Sequence, residues 1–245
     1  MRGLGIAVII VAVACDRGHP PPTAPRPSES PRPAAVVRAQ PNAPWRTLTG
    51  AERALLVPLF ADSVPYDEVR IIHGTAPFQP PGSYVTIGTD IYAPDDLWRD
   101  DFTTAPPWSI ERAILVHEIS HVWQHGNGMD LVVGSVLEMV KSRGRYEQAY
   151  PYRLERDRDL LQYGMEQQAS IIEDYYRITT QHQRPSQLEN AGLSLQARLR
   201  LYRAVLGKFL RDPFYARTHS ALRDHSSAAS AGSSASGFGA RSRAR

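Results

Sequence analysis

The sequence predicts an α+β domain that combines a short β-sheet with several helices. Two segments rich in Val, Ile, Tyr and Thr, "DEVRIIHG" and "SYVTIGTDIYAP", have the composition of strands, and the Pro/Gly break "APFQPPG" separates them. On both sides of these segments, apolar residues recur at helical spacing behind capping residues. One such domain with extended ends accounts for the 245 residues. We expect the strands to pair as a hairpin or meander.

The N-terminus predicts export. Arg2 precedes an apolar run from Leu4 to Ala14, which has the length of a secretory signal peptide rather than of a membrane span. The small residues Ala12 and Ala14 before Cys15 resemble a bacterial lipobox, whose cysteine is lipidated. We therefore expect an exported lipoprotein that is anchored in the bacterial membrane through Cys15 and faces the periplasm. The alternative is an ordinary cleaved signal peptide or an uncleaved anchor.

Composition also predicts the domain boundaries. We expect a signal peptide over residues 1–15, a proline-rich linker over 16–45, a folded domain over 46–215 and a disordered tail rich in Ser, Ala and Arg over 216–245. From Arg211 onward the net charge is +4, whereas the whole chain carries +3. The globular part is thus nearly neutral, and no specific nucleic-acid partner is expected.

Helices are predicted on both sides of the strands. The first begins at a capping box formed by Thr49 and Glu52, and Pro58 should end or kink it. After the motif helix described next, "DLVVGSVLEMVKSR" and "MEQQASIIEDYYRITTQH" have helical patterns. The closing helix has apolar residues at alternating spacings of four and three from Leu195 to Phe209.

The segment "AILVHEISHVWQHGNG" carries the chemistry. Ser109 can cap this helix, and Gly126 can end it in the left-handed conformation. His117 and His121 are four residues apart, so both imidazoles lie on one face and can bind one zinc ion. Glu118 is turned about 100° around the helix, where it can reach a water on that ion as a general base. The flanking apolar residues indicate burial, which makes the polar set costly unless a metal pairs with it.

A catalytic zinc site needs a third protein ligand. His125 lies on the same face, but a rise of about 12 Å separates it from His117, so the two cannot share an ion. The metzincin pattern fails as well, because Gln124 and Asn127 occupy the positions of its glycine and third histidine. The third ligand is therefore expected elsewhere in the chain.

Glu166 is the preferred third ligand. Together with Ala169 it resembles the E-x-x-A pattern that supplies this ligand in gluzincin-type metallopeptidases, where the small alanine lets the two helices approach. Glu173, two turns further along the same face, is the alternative. Asp174 is expected to orient a ligand histidine through its second ring nitrogen.

The motifs "DSVPYDEVRI", "LWRDDF", "LVHEISHVWQH" and "YGMEQQASIIEDYY" together resemble the small zinc-metallopeptidase domains of Vgr-related and Rhs-linked proteobacterial proteins. Those domains are similar to minimal gluzincins associated with contractile injection systems. The resemblance covers about Leu48 to Tyr176. It implies a small zincin-like fold, in which a short sheet packs on the motif helix, and a metal site.

We therefore expect a gluzincin-like, zinc-dependent peptidase that acts on a peptide or protein substrate, with Glu118 as the general base. The strand "SYVTIGTDIY" could bind extended substrate at its edge by analogy. The candidate donors to the developing oxyanion are four tyrosines, Tyr146, Tyr150, Tyr152 and Tyr163. The alternative is a non-catalytic zinc-binding structural or interaction lipoprotein associated with a secretion apparatus.

Overall fold

The computed structural model describes residues 12–14, 43–77, 79–129, 146–190 and 192–217. Within these ranges the strands are β1 (Ala12–Ala14), β2 (Trp45–Thr47), β3 (Arg70–His73), β4 (Ser83–Ile87) and β5 (Asp90–Ala93). The helices are α1 (Gly50–Phe60), α2 (Ile110–Gly126), α3 (Met165–Thr179), α4 (Leu195–Val205) and α5 (Gly207–Arg211). The α+β prediction is confirmed. The helix predicted for "DLVVGSVLEMVKSR" lies outside the described residues, as do the linker before residue 43 and the tail after residue 217.

The strands form one sheet in the order β1-β4-β5-β3-β2. Antiparallel pairing joins β1 to β4, β4 to β5 and β2 to β3, whereas β3 and β5 are parallel. The prediction of a simple hairpin or meander is therefore wrong for β3. Only "SYVTIGTDIYAP" folds back on itself, and Gly88, with φ of +64°, supplies the left-handed residue in its tight turn.

The helix α1 has the predicted start. The Thr49 side chain accepts from the backbone N–H of Glu52, and the Glu52 carboxylate accepts from the backbone N–H of Thr49. Glu52 is fully buried, and the guanidinium of Arg46 donates to both of its oxygens at 2.8 Å. Pro58 does not end the helix directly, because α1 runs on to Phe60. A proline so close to the C-terminus removes one backbone hydrogen bond and leaves few turns to disturb.

The helix α2 crosses the middle of the molecule. Its N-cap is Ser109, as predicted, and every side chain from Ala113 to Gln124 is buried. A helix buried all round must be covered on every face, and β4 and α3 both pack against α2. The left-handed glycine after α2 is Gly128, with φ of +79°, rather than the predicted Gly126, which is still helical.

The closing segment packs behind α2 as two helices instead of the single predicted one, because the chain breaks at Leu206. Phe209 contacts Phe60 and Trp123 edge to face, and the Trp123 indole N–H donates to the Pro213 carbonyl at 2.8 Å. These contacts fix the back of α2 and leave its histidines facing α3. In the described part of the chain, no helix is both long and apolar enough to span a membrane.

Candidate metal centre

Three buried side chains converge between α2 and α3. His117 and His121 come from the centre of α2, and Glu166 comes from the first turn of α3. One ligand atom from each lies within 4.8 Å of the other two. Ala169, one turn after Glu166, is fully buried where the two helices pack together. This group could hold a metal ion.

The two separations that involve Glu166 match those of a tetrahedral site. Glu166 Oε2 lies 3.3 Å from His117 Nε2 and 3.4 Å from His121 Nε2. Ligands bound at about 2.0 to 2.1 Å in a tetrahedral zinc site are about 3.3 to 3.4 Å apart. The His121 Nε2 atom is buried and has no partner with hydrogen-bond geometry among the described residues. An ion would satisfy this atom, so the residues present fit a metal.

Glu173 orients the first histidine. Its Oε2 atom is 3.0 Å from His117 Nδ1, on the other side of the imidazole from Glu166. A proton on Nδ1 leaves the Nε2 lone pair available for a metal. The sequence prediction gave this role to Asp174, which is wrong. Asp174 instead accepts from the backbone N–H groups of Ser186 and Gln187 and from the Tyr152 hydroxyl.

Gln124 orients the second histidine. Its Oε1 atom lies 2.8 Å from His121 Nδ1, and its amide donates to the carbonyl of Met165 and to Gln168 Oε1 at the start of α3. The same side chain thus sets the tautomer of His121 and ties the two ligand-bearing helices together. The sequence analysis missed this residue, although its position three residues after His121 places it on the same helical face.

The two carboxylates create a strongly negative, buried site. Burial by itself would lower the pKa of His117, but its hydrogen bonds to Glu166 and Glu173 raise the pKa to about 10. Burial would likewise raise the pKa of Glu166, but the charge of His121, together with the hydrogen bond and charge of His117, lowers it to about 2. A proton on His117 therefore offsets one of the two negative charges when no cation is bound, and a metal ion would displace that proton.

Glu118 lies next to this group without belonging to it. The carboxylate is buried, and its Oε2 accepts from the Thr86 hydroxyl of β4 at 2.6 Å. The Oε1 atom is buried with no hydrogen-bond partner among the described residues. Burial raises the pKa of Glu118, while His117, His121 and Thr86 oppose part of the rise. A buried carboxylate of raised pKa beside a ligand group has the properties of a general base.

The structure distinguishes among the tyrosines predicted as candidate donors to the oxyanion. Tyr150 is buried, and its ring centroid lies 6.0 Å from that of His117. Tyr152 donates to Asp174, and Tyr163 donates to the Arg153 carbonyl. The side chain of Tyr146 lies outside the described residues. Tyr150 is thus the candidate that adjoins the possible metal-binding group. His125 is exposed and takes no part in the ligand group, as its helical rise predicts.

No protein-family model matches the chain. Over 136 residues it is 29% identical to the type VI secretion system spike protein VgrG2b of Pseudomonas aeruginosa, a match that covers 54% of this chain and 13% of VgrG2b. This chain is similar to part of VgrG2b. The solved effector domain of Pseudomonas aeruginosa VgrG2b is 28% identical, and the alignment covers 54% of this chain and 74% of that domain with a TM-score of 0.49.

The similarity to VgrG2b confirms the predicted resemblance to Vgr-related proteins. The chain spans 13% of the length of this relative, so the activity and partners of the whole spike protein do not follow for this chain.

Thr86, like Gln124, was missed by the sequence analysis. A threonine at a strand position that faces a buried helix was the available signal, because a hydroxyl there needs a partner.

Proposed function

We propose that the chain is a zinc-dependent peptidase. The observation that carries the proposal is the convergence of His117, His121 and Glu166 beside a separate buried carboxylate, Glu118. Two imidazoles and one carboxylate form a ligand set typical of catalytic zinc, which keeps a fourth position open. When bound, zinc would supply a Lewis acid that polarises a peptide carbonyl and activates water. Oxygen-preferring ions such as Mg²⁺ suit two imidazoles poorly.

Glu118 acts as the general base. It accepts a proton from the attacking water through its Oε1 atom and returns that proton to the amine leaving group. Burial, which raises its pKa, strengthens it as a base at neutral pH. A purely structural metal site has no need of such a group, so Glu118 favours hydrolysis over a passive role.

Glu173 and Gln124 hold the two imidazoles in the tautomer that metal binding requires. Tyr150, beside His117, is the proposed hydrogen-bond donor to the carbonyl oxygen as it gains charge. The substrate is a peptide or protein. Export and anchoring through a lipid on Cys15 are part of the proposal, and they are supported by the apolar run from Leu4 to Ala14. Cleavage before Cys15 would remove the edge strand β1 and leave the four strands β2 to β5.

The test compares the wild-type chain with Glu118→Gln, which keeps the shape of the side chain and removes the base. We expect about one equivalent of zinc in both proteins and peptidase activity on a broad peptide library in the wild type alone. His121→Ala should lose zinc, and Glu155→Gln, an exposed change, should alter nothing. Equal activity in wild type and Glu118→Gln, or less than about half an equivalent of zinc in the wild type, would refute the proposal.

A second candidate is a non-catalytic metal-binding module of a secretion apparatus. It is favoured by the similarity to part of a protein described as a type VI secretion system spike protein. Under this reading, zinc holds α2 against α3 and the surface of the domain binds a partner. Wild type and Glu118→Gln would then be equally inactive on every peptide, and both would bind zinc.

A further inference from the structure

We infer that Thr86 is a positioning residue, which fixes the plane of the Glu118 carboxylate so that one oxygen is held and the other receives the proton. The inference rests on the proposed function, because it assigns Glu118 the role of base. Thr86 Oγ1 lies 2.6 Å from Glu118 Oε2, and both side chains are buried. The two residues are 32 positions apart and belong to different elements, β4 and α2.

The alternation of side chains along β4 places the Thr86 hydroxyl on the core face of the strand. Residues two apart on a strand share a face, so Thr86 lies on the face of Tyr84, which packs in the main core. Val85 points to the other face, into a small cluster with Ala76. On the core face a valine would fill the space of Thr86 equally well. The hydroxyl adds a polar group that is costly to bury unless it is paired, and it is paired with Glu118.

The hydrogen bond from Thr86 to Oε2 restricts rotation of the Glu118 carboxylate. The terminal torsion of a glutamate has a broad energy profile, so a carboxylate without hydrogen bonds can rotate widely. Thr86 removes that freedom by holding Oε2, and Oε1 remains without a hydrogen-bond partner among the described residues. Catalytic groups need their geometry held within a few tenths of an ångström, usually by neighbours that take no part in the chemistry. Thr86 is such a neighbour for Glu118.

The experiment uses the zinc-loaded full-length chain and two variants. Thr86→Val removes the hydroxyl at nearly constant volume, and Thr86→Ser keeps the hydroxyl. For Thr86→Val we expect kcat to fall about 10- to 100-fold while KM changes less than about twofold. Thr86→Ser should remain within about threefold of wild type. Zinc content should be the same in all three proteins.

Binding provides a readout that is independent of turnover. Acetohydroxamic acid chelates zinc and also offers a hydroxyl proton to a neighbouring carboxylate, whereas neutral imidazole binds zinc through a nitrogen lone pair and releases no proton. Calorimetry at pH about 8 should show acetohydroxamic acid binding weakened at least about fivefold in Thr86→Val and restored in Thr86→Ser, with imidazole binding unchanged.

The outcomes separate the two proposals. If the wild type hydrolyses no peptide but acetohydroxamic acid still distinguishes valine from threonine, the peptidase proposal fails and the positioning role stands. The positioning role is overturned if Thr86→Val binds acetohydroxamic acid as the wild type does. It is also overturned if that variant loses affinity for both probes together with its zinc, since the hydroxyl would then support the fold alone.

Discussion

Glu173 Oε2 lies 3.0 Å from Nδ1 of His117, while Glu166 Oε2 lies 3.3 Å from Nε2 of the same ring. One imidazole is therefore held between two carboxylates that come from the same helix, seven residues apart. Seven residues make nearly two full turns of α3, so both glutamates lie on one face. Glu166 contacts Nε2 of His117 within the ligand group, and Glu173 contacts Nδ1 on the opposite side of the ring.

Replacing Glu173 should weaken metal binding without destroying the site. In Glu173→Gln the negative charge behind His117 is lost, and the imidazole becomes a weaker ligand. We expect zinc affinity to fall about 10- to 100-fold, measured by competition with a chromophoric chelator. Glu155→Gln, in an exposed segment, is the matched control. An unchanged affinity in Glu173→Gln would show that the contact with His117 Nδ1 does not tune the site.

Metal binding should release protons. Hydrogen bonds to the two carboxylates raise the pKa of His117 to about 10, so the metal-free site holds a proton there at neutral pH. Zinc requires the neutral ring, so affinity should fall about tenfold for each pH unit below this pKa. Titration calorimetry at pH 7 in buffers of different ionisation enthalpy should report at least one proton per zinc. Heats that do not depend on the buffer would contradict this prediction.

The same pKa shift predicts how the metal-free protein responds to alkali. A histidine with a raised pKa stabilises the fold fully below its unfolded value, near 6.5. That stabilisation is lost as pH rises towards 10. We expect the free energy of unfolding of the metal-free chain, measured in urea, to decline from pH 7 to pH 10. In Glu173→Gln the decline should be smaller, and an equal decline in both proteins would assign it to other groups.

Gln124→Leu tests the link between the two ligand-bearing helices. The change removes the partner of His121 Nδ1 and the amide that donates to the Met165 carbonyl and to Gln168 Oε1. We expect a loss of about 2 kcal/mol or more in the free energy of unfolding, together with a fall in zinc affinity of about tenfold or more. Gln183→Leu, at an exposed position, is the control. Loss of stability with full zinc affinity would assign Gln124 a packing role alone.

Asp174→Ala should affect stability and spare the metal. The carboxylate accepts from the backbone N–H groups of Ser186 and Gln187 and from Tyr152, which also contacts Tyr202 at 2.5 Å. Its removal takes the acceptor away from the buried Tyr152 hydroxyl and from two part-buried backbone N–H groups, and we expect a loss of about 2 kcal/mol in urea unfolding. Zinc affinity measured below the unfolding transition should stay within about threefold of wild type. A selective loss of zinc would restore Asp174 to the metal site.

Local patterns in the sequence predict most of what local chemistry decides. The capping box at Thr49, the N-cap at Ser109 and the shared face of His117 and His121 are each set within a few residues. Glu166 could be found because a family pattern marks it. The two caps and the shared histidine face agree with the prediction because nearby residues alone determine them.

Features that depend on distant contacts were harder to predict. Composition does not show that β3 lies parallel to β5, because this pairing depends on how the chain crosses between strands. The incorrect prediction that Asp174, rather than Glu173, orients a ligand histidine has a similar origin. Both are acidic and adjacent, and which of them faces His117 depends on the rotation of α3 against α2. Glu173 follows Glu166 by seven residues and therefore lies on the same face of the helix, and this spacing was the available signal.

The ligand group also has a topological consequence. His117 and Glu166 are 49 positions apart in the chain, so an ion held by both would close a large loop, as a covalent cross-link does. Cys15 is the single cysteine, and no disulfide within the chain can take that part. Metal coordination would thus restrict the unfolded ensemble as well as hold the native helices together. Stripping the ion with a chelator would return that chain entropy to the unfolded state and lower the melting temperature.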